Sequence, residues 1–251
     1  MENMEEIRAK ADELLKQEKY TDSLPLYEQA AEMGDVYSAT KAATIGSVLA
    51  KLDITLFGDF LEAEKKAAQA LHWYEEFKDI DSPLIAIFFD RDSFIRNLGF
   101  CYYRLAVHKR GNEDEMDFLC ECFSLLCEVV DSSDEFPDAQ ALWALTVQRM
   151  QDLDWDWDDC GSVIVDRKNE LFNELIGTKR DALLEGEHTG SLLSKIYVDY
   201  GFVLLEGTEV AADHTKAYHC FKNAFAMGIQ SAEGILRKFA ETTPGKYTFV
   251  G

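Results

Sequence analysis

Through most of the chain, apolar residues return every third or fourth position, the spacing that lines one face of an α-helix. The clearest stretch is Lys216 to Phe239, KAYHCFKNAFAMGIQSAEGILRKF. In it Phe221, Ala224, Gly228, Ala232 and Leu236 stand at offsets 0, 3, 7, 11 and 15, so one stripe carries an aromatic and then small residues. This predicts two helices with a tight turn at Gly228, because a residue without Cβ takes the left-handed conformation that closes a last helical turn. Small residues on either side of the turn let the two helices pack closely.

The same spacing recurs near the start of the chain, where Tyr27, Ala30, Gly34 and Ser38 lie in LYEQAAEMGDVYSA. Tyr27 to Met33 with Gly34, and Ala217 to Met227 with Gly228, resemble Sel-one-like repeats, the α/α relatives of tetratricopeptide repeats. The resemblance implies an all-α fold, a right-handed α/α superhelical solenoid used for holding other proteins. The markers Tyr27, Tyr74, Phe123, Phe172 and Phe221 are 47, 49, 49 and 49 residues apart. A fixed period in this range is what stacked helical units need, though it exceeds the roughly 34 residues of a tetratricopeptide unit. The middle copies depart from the family, with Asp81, Val130 and Lys179 where the turn glycine would stand.

Taken in order, Glu5 to Glu18 predicts an amphipathic capping helix, with Ile7, Ala11, Leu14 and Leu15 on one stripe. Thr21 to Met33 and Val36 to Leu52 form the first hairpin, and Asp53 to Asp59 a loop. Leu61 to Lys78 is a helix, and the next runs from Leu84 or Arg91 to His108, with or without a short extra helix over IAIFF. Glu113 to Val130 and Pro137 to Gln151 make the third pair, with Asn112 and Glu115 in the form of an N-terminal cap and its reciprocal acid. Asp152 to Gly161 is a loop, Ser162 to Ile176 and Leu192 to Leu205 are helices, and the final unit follows. The expectation is about five hairpins plus an N-terminal cap in one domain over 1–251, with 242–251 a tail that docks or frays.

Prolines agree with this reading: Pro25, Pro83 and Pro137 stand where helices are expected to begin, and Pro244 where the last ends. No apolar run is long enough to span a bilayer, and MENMEEIRAK is charged rather than leader-like, so a cytoplasmic protein without membrane insertion is expected. The six cysteines sit in helical, apolar surroundings with no CxxC pair, and are read as reduced thiols of the core rather than as a metal site.

Charge changes the picture. The net charge is −22, and fifteen acids face a single base, Arg149, between Asn112 and Cys160. Such a surface repels a phosphate backbone, which excludes nucleic acid as a partner, and it attracts a basic protein. Within it, DLDWDWDD alternates tryptophan with carboxylate. As a calcium loop it lacks the Gly and Glu that the pattern requires at positions six and twelve. As a recognition loop, Asp152, Asp154, Trp155, Asp156, Trp157, Asp158 and Asp159 are the candidate partner-binding residues, the indoles serving as anchors. The competing reading tucks one or both indoles into the core and leaves the acids at a rim.

No catalytic, cofactor or metal motif is present: the five histidines are scattered and there is no phosphate-binding glycine loop or HExxH. A non-enzymatic module for protein–protein interaction is therefore expected, a scaffold or adaptor that binds a partner protein through a groove lined by the first helix of each unit and through the acidic central surface. The alternative is an immunity or inhibitor protein that masks a basic toxin or enzyme.

Overall fold

The computed structural model describes residues 3–131, 136–157, 160–186 and 189–251. Thirteen α-helices and one two-stranded sheet are found among them, so the chain is all-α in class. It divides into two compact units, Met1–Val129 and Val130–Gly251. The sequence marks no boundary there, since the aromatic period runs straight through it.

In the first unit the helices are α1 (Met4–Lys16), α2 (Tyr20–Glu32), α3 (Val36–Leu52), α4 (Phe60–Phe77), α5 (Pro83–Phe88), α6 (Arg91–His108) and α7 (Asp114–Cys127). Each long helix packs on the next, and α3 also packs on α6. The α1 start is a full capping box: Asn3 Oδ1 accepts from the Glu6 amide at 2.9 Å, and Glu6 accepts from the Asn3 amide at 3.1 Å. Ile7 and Ala11 are buried, and Asp12 accepts from the hydroxyls of Tyr27 (2.7 Å) and Tyr37 (3.3 Å), which ties the leading helix to the first hairpin.

The α2–α3 turn forms as the sequence predicts. Gly34 has φ +94°, its amide donates to Ala31 O, and the Asp35 amide reaches back to Ala30 O. Between α3 and α4 the expected loop is instead a π turn, Asp53–Phe57, closed by Gly58 at φ +66°. It retains helical hydrogen bonding because Ile54 is buried and the Asp53 carboxylate is held by Lys66 at 2.6 Å. Of the two alternatives over 84–108, the short extra helix is the one present. The cap expected before α7 takes another form. Asn112 makes no side-chain cap, and the buried Glu115 accepts instead from the Gly111 amide at 2.7 Å.

In the second unit the helices are α8 (Pro137–Asp152), α9 (Gly161–Ile176), α10 (Arg180–Glu185), α11 (Thr189–Glu206), α12 (His214–Ala226) and α13 (Ala232–Leu236). α8 packs on α9 and α11, and α11 on α12. The short α10 is absent from the sequence reading. Gly228 has φ +99°, and the Ile229 amide closes on Ala224 O, repeating the Gly34 turn.

The last hairpin is cut short: α13 has five residues and gives way to strands β1 (Phe239–Thr243) and β2 (Lys246–Phe249). They pair antiparallel across Pro244–Gly245, with Gly245 at φ +76°. β2 lies on α12, where Tyr247 stacks on Tyr218 with ring centroids 3.6 Å apart and the Tyr247 amide donates to Thr215 Oγ1. The strands replace the expected tail: TTPGKYTF reads as a helix stop, yet its β-branched and aromatic residues around Pro-Gly also fit a hairpin.

Of the five marker aromatics, Tyr27, Tyr74, Phe172 and Phe221 are buried, but Phe123 is only half-buried. On α7 the buried residues are Glu115, Leu119, Cys122, Leu125 and Leu126, so Cys122, one residue before the marker, takes the core position expected of Phe123. Gly99 on α6 explains the shift: the Cys122 thiol donates to Gly99 O at 3.3 Å, and Leu126 fills the space a Gly99 side chain would need. Among the prolines, Pro137 and Pro83 open helices, whereas Pro25 lies inside α2. That helix starts earlier than expected because the Ser23 amide bonds Lys19 O and its hydroxyl bonds Tyr20 O. No helix among the described residues is long and apolar enough to cross a membrane.

Candidate functional site

The acidic tryptophan loop begins where α8 ends. The Asp154 amide donates to Gln151 O (2.9 Å) and the Trp155 amide to Met150 O (3.0 Å), while Asp154 itself adopts φ +55°. This is the closing turn that glycine makes elsewhere in the chain; aspartate tolerates the left-handed region better than most side chains. The reversal turns Trp155 outward, 39% exposed, between the exposed Asp154 and Asp156.

Trp157 behaves differently. It is half-buried and lies against Gly161 at the start of α9, where an added Cβ would come within 3.2 Å of it. The two indoles are thus divided between the two readings of the sequence. Asp152 is exposed, accepts from Gln148 Nε2 at 3.0 Å and lies 3.9 Å from Arg149. Asp158 and Asp159 lie outside the described residues, as do Asp134, Glu135 and His188.

At the end of α8, just before this loop, is a group that sequence reasoning did not single out. Lys168 on α9 is fully buried, and its ammonium donates to Gln148 Oε1 (2.8 Å), Gln151 Oε1 (2.6 Å) and Glu209 Oε2 (2.6 Å). Asn169 Nδ2 also donates to Glu209, at 2.9 Å. Burial pushes the Lys168 pKa below the usual lysine range, and the Glu209 carboxylate opposes that shift. The ammonium has three acceptors for its three protons, which makes it a strut rather than a nucleophile. A lysine among Arg167, Asn169 and Glu170 gives no sequence signal of this role.

In the first unit, α2 and α4 wall a groove of about 440 Å³ whose floor is α3. Thr21, Leu24, Pro25, Glu28 and Glu32 come from α2, Gly46 and Leu49 from α3, and Glu62, Lys65, Lys66, Gln69 and Ala70 from α4. Gly46 brings α3 and α4 together: a Cβ there would meet Ala70 Cβ at 3.1 Å. On the α4 wall, Lys66 is held by Asp53 at 2.6 Å and Lys65 by Glu62 at 3.4 Å. Burial raises the Glu28 pKa, the Trp73 indole N–H opposes the rise, and the neighbouring Glu32 adds to it.

The cysteines are all free. Cys101, Cys122 and Cys220 are buried, and burial pushes the Cys101 and Cys220 thiols up to about 12, which keeps them protonated and inert. Cys127 and Cys160 are exposed, contrary to the expectation of a uniformly buried set, because they fall outside the apolar stripes of α7 and α9. No group of three metal-ligating side chains is found among the described residues.

Compared with known proteins, the chain matches no family model and no curated protein.

Proposed function

We propose that the chain is a non-enzymatic protein-interaction module, a scaffold or adaptor of the cytoplasm, built as an α/α superhelical solenoid of the Sel-one-like kind. The observation that carries this reading is the groove between α2 and α4. It is bounded by the first helices of two successive hairpins and floored by the second helix between them. That is where a curved stack of helix pairs presents its binding surface. The sequential packing of helices within each unit is in keeping with it.

The test is affinity capture followed by mass spectrometry with three versions of the full chain: unmodified, Gln69→Trp to fill the groove, and Asp154→Asn/Trp155→Ala/Asp156→Asn to disarm the loop. A partner held by the unmodified chain and lost on filling the groove is the expected result. A partner retained equally by all three would refute the reading.

The exposed Trp155 flanked by two carboxylates favours a second reading, an inhibitor or immunity protein that covers a basic enzyme. In that case the captured partner is a basic enzyme, and its activity falls on adding the chain but not the loop variant.

A further inference from the structure

We infer that the groove between α2 and α4 receives a cationic side chain, an arginine above all, from an extended segment of the partner protein. The head lies between Glu28 and Glu32, and the stem lies along Leu24, Pro25 and Leu49. The inference rests on the interaction-module reading and names the chemistry of its occupant.

Three observations carry it. The first is an imbalance of charge between the walls. Lys65 and Lys66 are already engaged by Glu62 and Asp53, whereas among the described residues no cation lies within 4.0 Å of Glu28 or Glu32. These two carboxylates are one helical turn apart on the same face, where like charges repel each other. A cation placed between them relieves that repulsion and the burial cost of Glu28 together, which gives the groove a preference of sign.

The second observation is Trp73. Its indole is 5% exposed, and Nε1 has no well-formed hydrogen bond among the described residues; the acid group it acts on is Glu28. The N–H only partly offsets the rise that burial gives the Glu28 pKa, and a cation beside the carboxyl group in this half-buried setting would offset more of it. Charge-assisted hydrogen bonds gain strength in such a setting.

The third is Pro25. Lying inside α2, it has no N–H to offer the Thr21 carbonyl one turn back, and both residues line the groove. A helix rises about 1.5 Å per residue, so this acceptor stands about 10 Å along the wall from Glu28. An extended chain covers that distance in about three residues. The groove thus offers a carboxylate pair, an apolar step at Leu24 and Pro25, and a second acceptor, in the order an extended segment would meet them. A guanidinium suits the first station better than an ammonium, since its planar fork can bond two carboxylates at once.

The experiment uses the full-length chain labelled with ¹⁵N and the probe N-acetyl-arginine methylamide. Amide shifts are followed at about 50 mM salt, against the same amides of citrulline and norleucine, which keep the length without the charge. The expected result is saturable shifts confined to residues 21–32 and 62–73 with arginine, at least about tenfold weaker with either neutral analogue and in Glu28→Gln or Glu32→Gln. Both glutamates reach the surface, and far-ultraviolet circular dichroism confirms that each variant is folded.

Equal binding of citrulline, shifts scattered over the whole acidic surface, or no shift up to the solubility limit of the probe would each overturn the inference. The wider reading is judged separately. If Gln69→Trp abolishes partner capture while Glu28→Gln/Glu32→Gln leaves it intact, the arginine assignment falls and the module stands. If neither filling the groove nor disarming the loop has any effect on capture, the module reading itself falls.

Discussion

Replacing Lys168 by methionine tests whether the strut between α9 and the end of α8 is as dry as its geometry indicates. Methionine keeps most of the stem but removes the ammonium, whose Nζ lies 5.8 Å from the centroid of the Phe172 ring. Three acceptors lose their donor at once: Gln148, Gln151 and Glu209, at 2.8, 2.6 and 2.6 Å. Breaking a buried pair by removing one partner costs about 3–5 kcal/mol. Glu209 is 20% exposed and retains Asn169, so part of its charge can be rehydrated, and the lower end of that range applies. The expected loss is therefore about 3 kcal/mol, read by guanidinium denaturation in the transition reported by tryptophan emission. Replacing both partners, Lys168→Met/Glu209→Met, removes the orphaned charge, and the loss should fall back to about 1 kcal/mol. A Lys168→Met variant less than about 1 kcal/mol weaker than the unmodified chain would refute the reasoning, because it would mean the ammonium is hydrated rather than caged.

Other consequences are more local. Gly99→Ala places a Cβ within 2.7 Å of Leu126 Cδ2 in a fully buried setting, so despite the better helix propensity of alanine the variant should lose about 1–2 kcal/mol by chemical denaturation. Trp155 is the most exposed indole described, while Trp73 and Trp143 are 5% and 3% exposed. Caesium, drawn to Asp154 and Asp156, should therefore quench emission more than iodide does, and Trp155→Phe should remove most of that difference. The raised pKa of Glu28 means that the folded chain holds this proton to higher pH than the unfolded chain. The associated stability is present below the ordinary glutamate range and is lost as pH rises through the raised value. Glu28→Gln should accordingly match the unmodified chain near pH 4 and exceed it near pH 7, as measured by urea midpoints at about those two values.

What the sequence made legible follows from how local each signal is. Gly34 and Gly228 announce their turns because a left-handed residue beside an aromatic and small-residue stripe has few other uses, and both turns form as expected. Phe123 misled for the opposite reason. A period counted along the chain cannot register that Gly99, twenty-four residues earlier, admits Cys122 and turns α7 by one position. The loop from Asp152 to Trp157 stood out by composition, but only the backbone reversal at Asp154 divides its two indoles between solvent and α9. Stacked hairpins lead to the expectation of a groove lined by first helices, but not to which residues line it, since Glu28 and Gln69 are brought together only by the packing of α2, α3 and α4.

Packing and recognition also share a residue in the first unit. Gly46 lies on α3 opposite Ala70, so close that a single methyl group would press on the α4 side chain, and the same glycine forms part of the groove floor. The missing side chain permits the close approach of α3 to α4, the floor and one wall of the groove. Enlarging Gly46 would therefore press on Ala70 and push back the wall that carries Lys65 and Lys66, altering the cavity before any charged residue had changed. The acids of α2 supply the sign of the site, but its shape is set by the small residues that let neighbouring helices meet.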